Sequence, residues 1–239
     1  PPAPQIAMWA TAGSHQASVY LADVAHIDHL HAPADPRRDP PADQWLPTPL
    51  GHADRGVVGI DLAGPEGVFC GKLLASLGAD VLKIELPGGG LEGGRPPSAG
   101  DPEGRDSSLR FAAHNAGKRG LTLDPEQPEG REILLDLIAR ADFVLDSYAP
   151  GMLRELGLDY PSLERVNPRI IAASVTPFGQ LGPYREFAST EMVISALSGL
   201  LYMVGESGEP PVHTSFPMSI HAAAALDTAV GLLIAHHER

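Results

Sequence analysis

A single cysteine, Cys70, stands among the 239 residues, so the chain has no internal disulfide and no cysteine-built zinc centre. That usage fits a reducing compartment, and a cytoplasmic location is the expectation. Basic residues are also scarce: 17 Lys and Arg face 30 Asp and Glu, for a formal charge of −13 and a pI near 5.1. A chain of this sign repels a phosphate backbone, so nucleic acid is not expected as a partner. No apolar run approaches the roughly 20 residues that a membrane-spanning helix needs, and no membrane partner is expected. The opening Pro1-Pro2-Ala3-Pro4 has neither the basic nor the apolar segment of a signal peptide. It also lacks Met, so residues ahead of Pro1 are expected.

What remains is the composition of an ordinary globular domain. Hydrophobic residues make up 43% and charged residues 20%, with a mean hydropathy of −0.05. A mass of 25.2 kDa suffices for one core plus a small appendage. The organisation follows that division. Residues 1–54 carry nine prolines and weak periodicity, which reads as an extended Pro/His-rich arm with one short helix in the Ala/Val/Leu patch at 17–25. His26, His29 and His31 with Asp23 and Asp28 have the ligand types of a zinc or nickel site. A solvated helix end is the preferred reading, and no metal is expected.

From residue 55 onward strand and helix patterns alternate. Short apolar runs at 57–62, 79–85, 121–123, 142–145 and 170–175 have strand length. Between them, 68–77, 131–141 and 161–166 have helical spacing, and Pro128-Glu129 suits a helix start. Residues 87–106 are dense in Gly and Pro and form a long loop, while 191–201 and 219–236 are apolar helices. Alternation of this kind predicts an α/β fold: a Rossmann-like parallel sheet with helices on both faces. In such a sheet ligands sit at the carboxyl ends of the strands, so a nucleotide-like ligand is the default. Neither Gly88-Gly89-Gly90 nor Gly64 and Gly67 makes a dinucleotide fingerprint, and both read better as turns.

Seven segments in order resemble the class III CoA-transferase family, which includes carnitine and formyl-CoA transferases and α-methylacyl-CoA racemase. They are CGKLLASLGADVLKIE (70–85), KRGLTLD (118–124), PEGR (128–131), ADFVLDSYAPG (141–151), LGLDY (156–160), NPRII (167–171) and FGQLGPY (178–184). The resemblance implies a CoA-binding Rossmann-like domain, a dimer of interlocked subunits, and a chain that continues well past the point matching Arg239. This chain is then an N-terminal half whose remainder lies in a partner chain or domain. The implied reaction moves CoA between acyl-CoA and a small carboxylic acid, with CoA as substrate and no tightly bound cofactor. The other reading is an inactive CoA-binding scaffold that supports an active partner unit.

Binding an anionic cofactor-like substrate requires local positive charge. Lys118 and Arg119, beside the strand ending at Leu123 and Asp124, are the candidate pair. Ser147, Tyr148 and Ala149 are expected to line the CoA cleft, with Tyr148 packing on adenine or pantetheine, and Arg154 lies one residue from a family arginine whose aligned position holds Glu155. The family's nucleophilic aspartate, ten residues before a segment similar to Gly231-Leu232-Leu233-Ile234-Ala235, corresponds to His221. Glu191 matches an Asp or Glu of relatives, so Glu191 and His221 are the candidate acid–base pair. Thr190 stands where the racemase has its histidine, which disfavours racemisation. The first loop is shortened to Ala63-Gly64-Pro65-Glu66-Gly67, and Pro65 has no N–H to hold an oxyanion.

Overall fold

The computed structural model describes residues 6–12, 15–21, 56–87, 109–206, 208–212 and 219–239. Strands β1 (Ile6–Ala12) and β2 (His15–Leu21) pair antiparallel from Ile6–Leu21 to Ala12–His15. This hairpin replaces the extended, partly helical stretch that the sequence reading places there. The spacing of Ala, Val and Leu in so short a run is compatible with either period, and pairing with β1 decides for the strand.

The main sheet is parallel, in the order β5-β4-β3-β6-β7. Its strands are β3 (Val58–Leu62), β4 (Asp80–Glu85), β5 (Arg119–Thr122), β6 (Phe143–Asp146) and β7 (Ile171–Ser174). Between and after them run α1 (Val68–Ser76), α2 (Leu109–Asn115), α3 (Pro128–Ile138), α4 (Met152–Glu155), α5 (Tyr160–Val166), α6 (Glu191–Leu197), a 3-10 turn (Leu200–Met203) and α7 (Ser219–Glu238). The fold is thus the α/β Rossmann-like sheet that the alternating pattern predicts. Two short helices, α2 and α4, escape the sequence reading, because neither seven nor four residues display a helical period.

Period-two alternation sends successive strand residues to opposite faces. Phe143 and Leu145 of β6 join Val81, Cys70 and Leu74 beneath α1 and α7. Val144 joins Ile60, Leu82 and Ile84 beneath α3 and α5. On α7 the buried Ala225, Ala229, Leu232 and Ala235 recur at helical spacing, and the three alanines let the helix lie close to the sheet. Gly59 makes a comparable allowance inside the sheet. A Cβ there would collide with the ring of Phe143, its register partner on β6. Gly59→Ala is therefore expected to cost about 1–3 kcal/mol, measured by urea denaturation, because the ring must leave its rotamer.

At the amino end of the sheet Arg239 closes the packing of α7. Its Nη1 donates to the carbonyls of Asp142 (3.1 Å) and Arg169 (3.0 Å), and its Nη2 binds Asp142 Oδ1. Asp142 Oδ2 accepts the amide of Val58 at 2.8 Å, which ties β3, β6 and α7 together. Burial, followed by the Arg239 charge, holds the neighbouring His236 below its ordinary pKa.

Candidate functional site

Strand order reverses between β3 and β6, so a crevice opens at their carboxyl ends. Three loops meet there: 63–67 after β3, 147–151 after β6 and 175–187 after β7. Gly67 marks the junction, since a Cβ on it would stand 3.0 Å from Ser147 Oγ and 3.2 Å from Val175 Cγ2. Ser147 Oγ and the nearby Thr176 Oγ1 are buried without hydrogen-bond partners. Buried hydroxyls are normally satisfied, so these two are available to a ligand.

A charged cluster beneath the first loop holds it in place. Asp61, fully buried, accepts the amide of Ala63 at 2.9 Å and the ammonium of Lys118 at 2.7 Å, with Lys83 Nζ at 3.4 Å. Lys118 also donates to the carbonyl of Val68 (2.7 Å) and to Asn115 Oδ1 (2.9 Å), and Lys83 donates to the carbonyl of Ala63. Gly71 in α1 makes room for this packing, since a Cβ there would strike the Asp61 carboxylate. Desolvation holds the Lys118 ammonium below the usual lysine pKa, against the opposing pull of Asp61. The amides of Ala63, Gly67 and Val68 are committed to Asp61 and Gly64. With Pro65 lacking an N–H, Gly64 and Glu66 are the loop's remaining backbone donors.

On the α3–α5 face a cavity of about 420 Å³ opens at the ends of β6 and β7. Its walls are apolar, with Leu62, Val144 and Leu163 among them. Asp146 and Ser174 lie at the strand ends, while Arg154 and Arg185 contribute positive charge. Asp146 is only 4% exposed; its Oδ1 accepts from Ser174 Oγ (2.8 Å) and from the Tyr148 amide (3.0 Å). Gln180 Nε2 donates to Ser174 Oγ at 2.7 Å and to the Tyr148 carbonyl at 3.4 Å, so the third loop is hooked onto the same group. Burial pushes the Asp146 carboxyl up to about 7, although both hydrogen bonds pull it down.

The structure distributes the sequence candidates unevenly. Lys118 does not face solvent: its side chain is 1% exposed and its charge is spent on Asp61. Arg119 grips Asp80 through two bonds, Nε to Oδ1 (2.7 Å) and Nη2 to Oδ2 (2.5 Å). The expected positive pair is thus turned toward acidic partners of the protein itself. Leu123 is buried in the α3–α5 core, and Asp124 caps the turn into α3 by accepting the Glu126 amide at 2.9 Å. Ser147 and Tyr148, on the loop after β6, are half-buried and Ala149 beside them is exposed; none of the three lines the cavity at the ends of β6 and β7. Burial raises the Tyr148 phenol, followed by the charges of Asp146, Glu126 and Asp124, so Asp124 is brought near Tyr148. Arg154 lines the cavity with its side chain 83% exposed, 3.7 Å from Asp159.

Glu191 opens α6 and His221 sits in the first turn of α7. Glu191 Oε1 and His221 Nδ1 are each buried without a hydrogen-bond partner, so they do not pair through these atoms. His26, His29 and His31 lie outside the described residues; among the described residues no metal-binding cluster occurs. No described helix is long and apolar enough to cross a membrane. Sequence reasoning missed Asp146, Ser174, Thr176, Gln180 and Arg185. Asp146 and Ser174 were detectable as polar residues ending apolar strands. Gln180 lies within the family segment 178–184, whereas Arg185, in the same irregular loop, carries no such signal.

Residues 60–239, which include the three loops of the crevice and the residues lining the cavity, match the sequence pattern of a known family. The chain belongs to CoA-transferase family III. It is 39% identical over 176 residues to the succinyl-CoA:(R)-benzylsuccinate CoA-transferase subunit BbsE of Thauera aromatica, covering 74% of this chain and 43% of that one. It is 34% identical over 177 residues to the formyl-CoA:oxalate CoA-transferase of Streptomyces coelicolor, covering 74% and 41%. A CAIB/BAIF family protein from Brucella suis superposes with a TM-score of 0.69 at 36% identity, over 75% of this chain and 48% of that one. The chain therefore spans less than half the length of these relatives.

Proposed function

We propose that this chain supplies the CoA-binding portion of a family III CoA-transferase, which moves CoA from an acyl-CoA to a small carboxylic acid. The observation that carries this reading is the cavity at the ends of β6 and β7, where apolar walls adjoin Arg154 and Arg185. A nucleotide needs both, an apolar slot for the base and cations for its phosphates. Similarity to transferase subunits favours assembly with a second chain, as a homodimer or with a related unit. No tightly bound cofactor enters the reading, and a cytoplasmic location accompanies it.

Calorimetry with CoA tests it. Saturable one-site binding is expected, and Arg154→Ala combined with Arg185→Ala is expected to weaken it about tenfold and to reduce its salt dependence. Arg119→Ala, whose guanidinium serves Asp80, is expected to change affinity less than about twofold. Absence of CoA binding by the unmodified chain would leave a shared fold and nothing more.

His221 and Glu191 are retained as the acid–base pair of this proposal. Both present buried, unpartnered atoms, the state of groups that await a substrate. An imidazole cannot form the carboxylate-derived thioester that conserves the energy of CoA transfer, because an acyl-imidazole hydrolyses readily. Incubation with an acyl-CoA is therefore expected to leave no adduct of CoA mass on His221 in mass spectrometry. Such an adduct on Glu191 or Asp227 would show that the carboxylate nucleophile is present under another number.

A further inference from the structure

Asp146 differs from Asp61, the other buried acid described at the carboxyl end of the sheet. Asp61 meets the ammonium of Lys118 directly, whereas among the described residues no cation is paired with Asp146. Both of its protein donors, Ser174 Oγ and the Tyr148 amide, address Oδ1. Among the described residues none donates to Oδ2. The side chain nonetheless lines the cavity, so one oxygen of a nearly inaccessible carboxyl is left for whatever enters. The charged and titratable groups around that space are Arg154 on α4, Asp159 and Tyr160 at the start of α5, and Arg185 and Glu186 on the loop after β7. The Tyr148 phenol, on the loop after β6, also feels the charge of Asp146. Arg154 lies 3.7 Å from Asp159 and Arg185 lies 3.0 Å from Glu186, so the cationic groups already have acidic neighbours.

We propose that Asp146 couples ligand binding in this cavity to the uptake of one proton, its Oδ2 carrying that proton and donating it as a hydrogen bond to the ligand. The inference rests on the reading of the cavity as the CoA nucleotide site and adds its regulation. An anionic ligand with an apolar body removes the last water from Asp146 and brings negative charge beside it. Both effects disfavour the ionised carboxylate. The sign follows directly. In the free protein the group titrates near 7, so below that pH it is already neutral and binding takes up nothing. Above it, each bound ligand must recover a proton from solution, and affinity falls as pH rises. The carboxyl proton ends on Oδ2, and no covalent bond changes.

The test is calorimetry on the full chain with 3′-dephospho-CoA, chosen because a terminal phosphate monoester titrates near pH 6 and would obscure the result. Measurements in two buffers of different ionisation enthalpy give the number of protons taken up. About one proton is expected at pH about 8, with affinity falling up to about tenfold per unit above pH about 7.5. Asp146→Asn, a neutral donor of the same shape, is expected to bind with no proton uptake and a flat profile. Ser174→Ala supplies a second reading that keeps the carboxyl. Loss of the hydroxyl that favours the ionised form is expected to move the midpoint of the wild-type profile to higher pH. Proton uptake by Asp146→Asn equal to that of the wild type, or an unmoved midpoint in Ser174→Ala, would overturn the inference while leaving the nucleotide site standing. No binding by the wild type at any pH would remove the site and the inference together.

Discussion

Lys118→Met is expected to lower the unfolding free energy by about 3–5 kcal/mol, seen as a fall in the urea midpoint with an unchanged slope. The ammonium is closed inside three acceptors, Asp61 Oδ2, the Val68 carbonyl and Asn115 Oδ1. Removing it leaves a buried carboxylate whose remaining cation, Lys83, stands at 3.4 Å. Asn115 Oδ1 loses its ammonium donor at the same time, whereas the Val68 carbonyl keeps its helical donor one turn on. The outcome separates two roles. A residue that binds phosphate directly would weaken CoA binding, flatten its salt dependence and leave stability nearly unchanged. An interior clamp lowers stability, and any loss of affinity follows from movement of the 63–68 loop, with the salt slope preserved. A thermally unaltered Lys118→Met protein that had lost its salt-dependent CoA affinity would restore the phosphate-binding role suggested by the sequence.

Arg239→Ala is expected to cost a similar amount, about 3–5 kcal/mol, at the opposite end of the sheet. Its guanidinium is nearly inaccessible and joins the Asp142 carboxylate, the Asp142 carbonyl and the Arg169 carbonyl in one arrangement. Withdrawing it uncouples the end of α7 from the segment that leads into β6. Because ligands of such sheets bind at the carboxyl ends, this loss is expected to leave CoA affinity within about twofold at a temperature where the variant is folded. Urea denaturation and calorimetry on the same preparation check both halves of the statement. A variant as stable as the wild type would show that α7 is held by its Ala225–Ala235 face alone. Lys118→Met and Arg239→Ala thus form a pair in which the carboxyl-end cluster affects stability and site, and the amino-end cluster stability only.

The contrast between Lys118 and Arg154 shows where reading the sequence stops. Both are basic residues near strand or helix ends, and linear position favours Lys118, which lies within a matching segment, over Arg154, which lies between two of them. Lys118 follows the short turn after α2, a helix too brief to announce itself, and that turn directs its side chain beneath α1. There it meets Asp61, 57 residues earlier in the chain. Arg154 lies on α4, and its side chain reaches the mouth of the cavity. Charge was legible in both, but partner was not, because a partner is chosen by the path of the backbone between them.

The sequence alone determined the class of the fold, the five parallel strands and the family, because each rests on local order. Apolar runs of strand length alternate with helical spacing, and the seven family segments are contiguous and occur in sequence. Which layer each face of β6 meets, α1 and α7 for Phe143 and Leu145, α3 and α5 for Val144, came only with the assembled fold. Only the tertiary structure decided which charges are spent internally and which residues form the cavity. Asp61 with Lys83 and Lys118, Asp80 with Arg119, and Asp142 with Arg239 are pairings across 22 to 97 residues. Asp146 acquires its raised pKa and its free oxygen only when α4, α5 and the loop after β7 close over the end of β6. Burial is a property of the assembled layers, and it converts an ordinary aspartate at a strand end into a group that titrates near neutrality.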